Sequence, residues 1–162
     1  MTPVWQSRRQ DQIVLVNITG NSMLDQDVVN LAKAIRQNES GNRPISGASG
    51  EFGRYQFVGD TWNKWAGEYL GNPNAPHSLE NENKVAYSQI KKWKEQGYNP
   101  GQIASLWNSG KPDWQGKVGV NKMGVKYDTP KYVANVYQLY KQNKTTSLNA
   151  NPLVGTQEPN AL

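Results

Sequence analysis

The densest run of chemically useful side chains is Glu39-Ser40-Gly41, followed by Gly47-Ala48-Ser49-Gly50-Glu51-Phe52-Gly53-Arg54-Tyr55-Gln56-Phe57. A carboxylate at the end of a helix is held by a rigid element, while neighbouring glycines leave backbone open to a ligand. The negative end of the helix dipole and nearby aromatic rings both disfavour the charged form of such a glutamate, which raises its pKa. A glutamic acid that keeps its proton near neutral pH can protonate a leaving oxygen, so Glu39 is a candidate general acid. Composition narrows the field further. The chain has no cysteine and one histidine, His77. This excludes a disulfide scaffold, a thiolate metal site and a cysteine nucleophile, and leaves any triad or multi-histidine centre a single ring. Acid-base chemistry therefore falls to carboxylates, and neither a metal nor a cofactor is implied. His77, between Pro76 and Ser78, reads as an exposed loop residue.

Helices must position these groups. Val28, Leu31, Ala32 and Ile35 follow the 3.6-residue period behind Asp25 and Asp27, predicting a helix that ends near Glu39, before Gly41. Trp62, Trp65, Ala66 and Tyr69 repeat the spacing, with Asp60 as candidate N-cap and Gly71-Asn72-Pro73 as terminator. Ser78 can cap a third helix through Leu79, Ala86, Ile90 and Trp93, closed by Gln96-Gly97. Asn99-Pro100 opens a fourth through Ile103, Ala104 and Trp107, with proline in the first turn where its missing N–H costs nothing. Thr129-Pro130 repeats that device for a last helix carrying Val133, Val136, Tyr137 and Tyr140 on one stripe and Tyr132 on another face. Between the helices lie two glycine-rich loops, Gly41 to Gly53 and Gly110 to Gly124, without the alternation a large sheet needs. The expected fold is one mainly α domain, with no internal repeat.

The 162 residues fit one domain by the usual range of about 100–200 residues, and six Trp, eight Tyr and two Phe make its core aromatic. No run is long and apolar enough to span a membrane; the longest near-candidate, Ile13 to Ile18, is interrupted by Asn17. Residues 1–24 read as an N-terminal extension holding that β-like stretch, with no visible export signal. Residues 25–142 read as the folded body, and 143–162, rich in Asn, Thr, Pro and Gly, as a flexible tail or linker. Net charge is +5, but residues 84–144 alone hold 11 Lys and Arg against 3 Asp and Glu. That basic half suits a polyanion, whether nucleic acid, acidic wall polymer or anionic membrane.

The order Glu39-Ser40, a spacer, then Ser49-Gly50, Gly53 and Gln56 resembles the Glu-Ser…Gly-x-x-Gly-x-x-Gln signature of the soluble lytic transglycosylase family. Ala104-Ser105-Leu106-Trp107-Asn108-Ser109-Gly110 is similar to that family's Ala-x-x-Tyr-Asn-Ala-Gly motif. Thr129-Pro130-Lys131-Tyr132-Val133, with Val136 and Tyr140, resembles its closing Thr-x-x-Tyr-Val helix. Together the three motifs, in the family's order, cover about residues 28–141.

The resemblance implies a lysozyme-like α fold with glycine-rich loops around a cleft. Its implied activity is cleavage of the β-1,4 bond between N-acetylmuramic acid and N-acetylglucosamine in peptidoglycan. In that family one glutamate, here Glu39, protonates the glycosidic oxygen and then deprotonates the muramoyl 6-hydroxyl, closing a 1,6-anhydro ring without a second carboxylate. By position, Gln56 would hydrogen-bond substrate near the cleaved bond, Tyr132 would orient Glu39, and Asn108 would line the cleft with Ser40 and Ser49. Either Ser46 or Ser49 fits the serine that the family places before the glycines, because the spacer is about one residue shorter here. This chain has Trp107 where the family has Tyr, and Arg54-Tyr55 where it has an apolar pair. Tyr55, Trp62 and Trp107 are candidate sugar platforms, with core packing the simpler role for Trp62, and Arg54 is a candidate partner for a peptide-stem carboxylate.

Two other readings use the same residues. An inverting hydrolase would need a second carboxylate about 6.5–9.5 Å from the first. Glu51 and Asp60 are the candidates, although Glu51 lies in the glycine-rich loop and Asp60 suits a helix cap. A non-catalytic wall-binding module would use the basic 84–144 segment, whereas no nucleic-acid signature is present. The expected partners are glycan strands and acidic wall polymers, and the expected state is a monomer. The expected location is extracellular, periplasmic, cell-wall associated or phage-delivered.

Overall fold

A computed structural model describes residues 25–150. The extension 1–24, with its β-like stretch Ile13 to Ile18, and residues 151–162 lie outside the described part. The described chain is mainly helical: α1 (Gln26–Ser40), α2 (Gly59–Leu70), α3 (Leu79–Glu95), α4 (Pro100–Ser109) and α5 (Thr129–Ala150). Two antiparallel pairs complete it. β1 (Ile45–Ser46) joins β2 (Phe52–Gly53), and β3 (Val118–Val120) joins β4 (Lys126–Asp128) in the register Val118↔Asp128, Gly119↔Tyr127, Val120↔Lys126.

The helix ends follow local chemistry. Asp25 caps α1 by accepting the Val28 N–H at 3.2 Å, and Gly41 ends it in the left-handed region, φ 65°. Ser78 caps α3, and Asn99 and Gln102 form a reciprocal capping box on α4. Asp60 does not cap α2. That helix begins at Gly59 behind Val58, without a side-chain cap, and Asp60 lies in its first turn, where a negative charge suits the helix dipole. At the start of α5 the Asp128 carboxylate accepts the Lys131 N–H at 3.0 Å.

Helix α1 packs against α3 and α5, α4 against α5, and α2 against α3. Their shared core contains Val28, Leu31, Ile35, Val85, Ile90, Ile103 and Val136, each contributing about 1.5–3 kcal/mol by burial. An aromatic layer continues it: Phe57 meets Trp62 at 4.8 Å and Trp107 at 5.6 Å between ring centres, and Trp65 meets Trp93 at 5.8 Å. Leu79 and Tyr137, expected on buried stripes, are 44% exposed: Leu79 is the first residue of α3, and Tyr137 lines an open hollow between α4 and α5.

The last helix corrects one boundary. α5 runs to Ala150, eight residues past the expected end of the body, so the stretch expected to be a flexible tail begins as helix. Asn143 donates to the Asn30 carbonyl at 2.9 Å and Ser147 donates to the Asn30 side chain at 2.9 Å, which ties this turn of α5 to α1. Polar composition suggested a linker there, but these side chains pair with a buried asparagine of α1.

Candidate active site

Helix α1 delivers Glu39 one residue before its last, and α5 brings Tyr132 across to it. The Tyr132 hydroxyl donates to Glu39 Oε2 at 2.6 Å, joining residues 93 apart in sequence. Burial raises the Glu39 pKa from 4.5 to about 7, the Tyr132 hydrogen bond works against that rise, and the charge of Glu51 adds to it. The Tyr132 phenol is pushed well above its ordinary value by its own burial and then by Glu39, so it stays a donor. The result is a carboxyl group that is half protonated near neutrality, with one oxygen engaged.

The glycine-rich segment is tied down by its own atoms. Gln56 has φ 53°, unusual for a residue with a side chain, and its amide nitrogen donates to the Gly53 carbonyl at 2.7 Å and the Ile45 carbonyl at 2.8 Å. Both of its amide protons are thereby committed, which removes Gln56 as a donor to substrate and leaves only its Oε1. That oxygen and Glu51 Oε2 both lie over Gly47, where any added Cβ would collide with them. Glu51 Oε2 accepts the Ser49 N–H at 2.8 Å.

Four further candidate residues face inward. Ser40 is buried; its hydroxyl donates to the Arg54 carbonyl at 2.7 Å and accepts the Arg43 N–H at 3.1 Å, making it a joint between α1 and the loop. Tyr55 is fully buried, with its hydroxyl 2.6 Å from Asn83 Oδ1, so it cannot present a face to a sugar. Trp62 is likewise a core residue, 4% exposed. Trp107 is half-buried among Tyr55, Phe57, Trp65 and Trp93, which occupies its ring with packing.

Arg54 is engaged within the chain. Its guanidinium reaches Glu82 Oε1 at 3.0 Å, its N–H donates to the same oxygen at 3.3 Å, and His77 Nδ1 meets Glu82 Oε2 at 2.9 Å. Glu82 is fully buried beneath Gly53, whose φ of 92° and lack of a side chain permit the approach. His77 is therefore not an exposed loop residue. It stacks on Trp62 at 4.0 Å between ring centres. Sequence reasoning passed over Glu82, although its placement with Ala86, Gln89 and Trp93 on one face of α3 signals a carboxylate that needs an internal partner.

The β3–β4 hairpin closes the other side. Asn121 Oδ1 accepts the N–H groups of Met123 and Val125, and its amide nitrogen reaches Ser49 Oγ at 3.3 Å, linking the hairpin to the glycine-rich loop. Beside it lies a hollow of about 340 Å³ lined by Asn108, Ser109, Lys117, Asn121, Tyr127 and Thr129. Asn108 is exposed there and accepts the Thr129 hydroxyl at 2.8 Å. Thr129 is one turn of α5 before Tyr132. A second hollow, about 500 Å³, lies between α4 and α5 along Pro100, Trp114, Val133 and Tyr137 and contains none of these groups.

No protein-family model, curated protein or solved structure matches the chain. The family resemblance rests on its three short motifs. Among the described residues no three acidic or histidine side chains gather to hold a metal, and no helix is long and apolar enough to cross a membrane.

Proposed function

We propose that this protein is a lytic transglycosylase. It would cleave the β-1,4 bond between N-acetylmuramic acid and N-acetylglucosamine, with Glu39 as the single acid and base. The observation that carries this reading is the enclosed Glu39 carboxyl, raised to about 7 and aligned by the 2.6 Å bond from Tyr132. With Oε2 held by the phenol, Oε1 carries the proton. That proton passes to the glycosidic oxygen as the bond to the muramoyl anomeric carbon breaks. The resulting carboxylate then accepts the proton of the muramoyl 6-hydroxyl while its oxygen bonds to the anomeric carbon, which restores Glu39 to its acid form. A tethered hydroxyl needs no bound water and benefits from high effective concentration. The lysozyme-like fold and the extracellular or wall-associated location implied by the motifs belong to the same proposal.

One observation favours a second reading. Glu51 is close enough for its charge to raise the Glu39 pKa, whereas Asp60 has no such effect. If the enzyme is an inverting hydrolase, Glu51 is the residue to activate water. Mass spectrometry of muropeptides released from purified peptidoglycan decides between them. A 1,6-anhydromuramoyl end supports the transglycosylase, and a reducing muramic acid end supports the hydrolase. A Glu39→Gln variant that still clears walls at the wild-type rate would rule out both.

A further inference from the structure

The hollow beside the β3–β4 hairpin, one turn of α5 from the Tyr132 that holds Glu39, contains a charge that bond cleavage does not use. Along β3–β4, Lys117, Asn121 and Tyr127 line it, while Val118 and Val120 are 60% and 58% exposed. No Asp or Glu lines the hollow, and among the described residues none lies within 4.0 Å of the Lys117 amino group. The neighbouring Asp128 is engaged with the Lys131 N–H. Asn108 accepts the Thr129 hydroxyl, so its amide protons remain as donors beside the lysine. An unopposed ammonium group flanked by amide and phenol donors is complementary to a carboxylate. Arg54, the cation offered by the sequence for that role, is committed to Glu82.

We propose that Lys117 and its neighbours form a subsite for a carboxylate carried by the glycan beside the bond that Glu39 cleaves. This rests on the glycan-cleaving reading above. In peptidoglycan the group has two sources, the peptide stem or the lactyl carboxylate exposed when the stem is removed.

The test compares wild type, Lys117→Met, Lys117→Arg and the hairpin control Lys122→Met on three substrates. These are intact walls, stem-stripped strands, and walls whose carboxylates have been converted to amides. Loss of one charge-assisted contact predicts about a 10-fold fall in kcat/KM for Lys117→Met on acidic walls, shrinking as salt rises. Lys117→Arg and Lys122→Met should stay near wild type, and amidated walls should be cut equally by all four. Persistence of the loss on stem-stripped strands assigns the lactyl carboxylate, and its disappearance there assigns the stem; either result supports the subsite. An equal loss on amidated walls overturns it. Cosedimentation of Glu39→Gln with walls, with and without Lys117→Met, separates this idea from the cleavage reading. Binding that needs both Lys117 and the carboxylates, without any cleavage product from wild type, keeps the subsite and sinks the enzyme. Cleavage with charge-blind binding does the reverse.

Discussion

Glu39 is half-buried and Glu82 fully buried, and they differ also in what faces them. Glu82 meets the Arg54 guanidinium, the Arg54 N–H and His77, so both of its oxygens are engaged and one of its partners is a permanent cation. Glu39 meets one neutral phenol, and burial outweighs that bond to keep it near half protonation at neutral pH. A glutamate matched by a guanidinium, a backbone N–H and an imidazole fixes a loop, whereas one given a single neutral phenol can exchange a proton. The partners, as well as the depth of burial, set the two carboxyl groups apart.

The largest expected effect separates the two by activity. Glu39→Gln should lower wall cleavage at least about 100-fold, as for loss of a general acid, while the fold persists by circular dichroism. Glu82→Gln should act mainly on stability. Removing the charge opposite Arg54 and His77 is expected to lower the unfolding free energy by about 3 kcal/mol in urea titrations, the low end for a buried pair because both partners are 21% exposed.

Proton linkage sharpens the contrast. Because the folded Glu39 holds its proton up to about 7 and the unfolded one releases it near 4.5, the native state binds more protons between those values. The stability that the Glu39 proton contributes should therefore be full below 4.5 and be lost at about 1.4 kcal/mol per pH unit up to about 7. Thermal melts of wild type and Glu39→Gln should diverge over that interval, with the variant relatively more stable at the alkaline end. In kcat/KM profiles the acid requirement should give an alkaline fall beginning near pH 7.

The smallest effect expected is for Tyr132→Phe, about a 10-fold loss in kcat from a misaligned acid. Its hydrogen bond favours the Glu39 carboxylate, so the alkaline limb should move to higher pH in the variant. A limb that moves downward would show that the phenol acts otherwise.

Local signals made the helices legible. The period of Val28, Leu31 and Ile35, the Ser78 cap and the Asn99-Pro100 start are written in neighbouring residues, and the structure contains each. Long-range pairing was less legible. Tyr132 reaches Glu39 over 93 residues, and only the motif resemblance, not periodicity, brought them together on paper. The motif positions of Ser40 and Gln56, and the aromatic type of Tyr55, suggest substrate contacts. Their polar atoms instead meet Arg54, Asn83 and the Gly53 carbonyl. His77 looked exposed beside Pro76, since its stack on Trp62 and bond to Glu82 arise only when α2 and α3 pack. At the chain's far end, composition concealed the helical turns whose Asn143 and Ser147 reach Asn30.

One loop residue joins the two glutamates. Arg54 donates its N–H to Glu82, and its carbonyl accepts the hydroxyl of Ser40, next to Glu39. Its amide proton can exchange with solvent only when the first of these bonds opens, so its exchange rate is a clock for the release of the glycine-rich loop from its buried anchor. Measured with and without bound glycan, that single rate would tell whether substrate stiffens the loop or finds it already set.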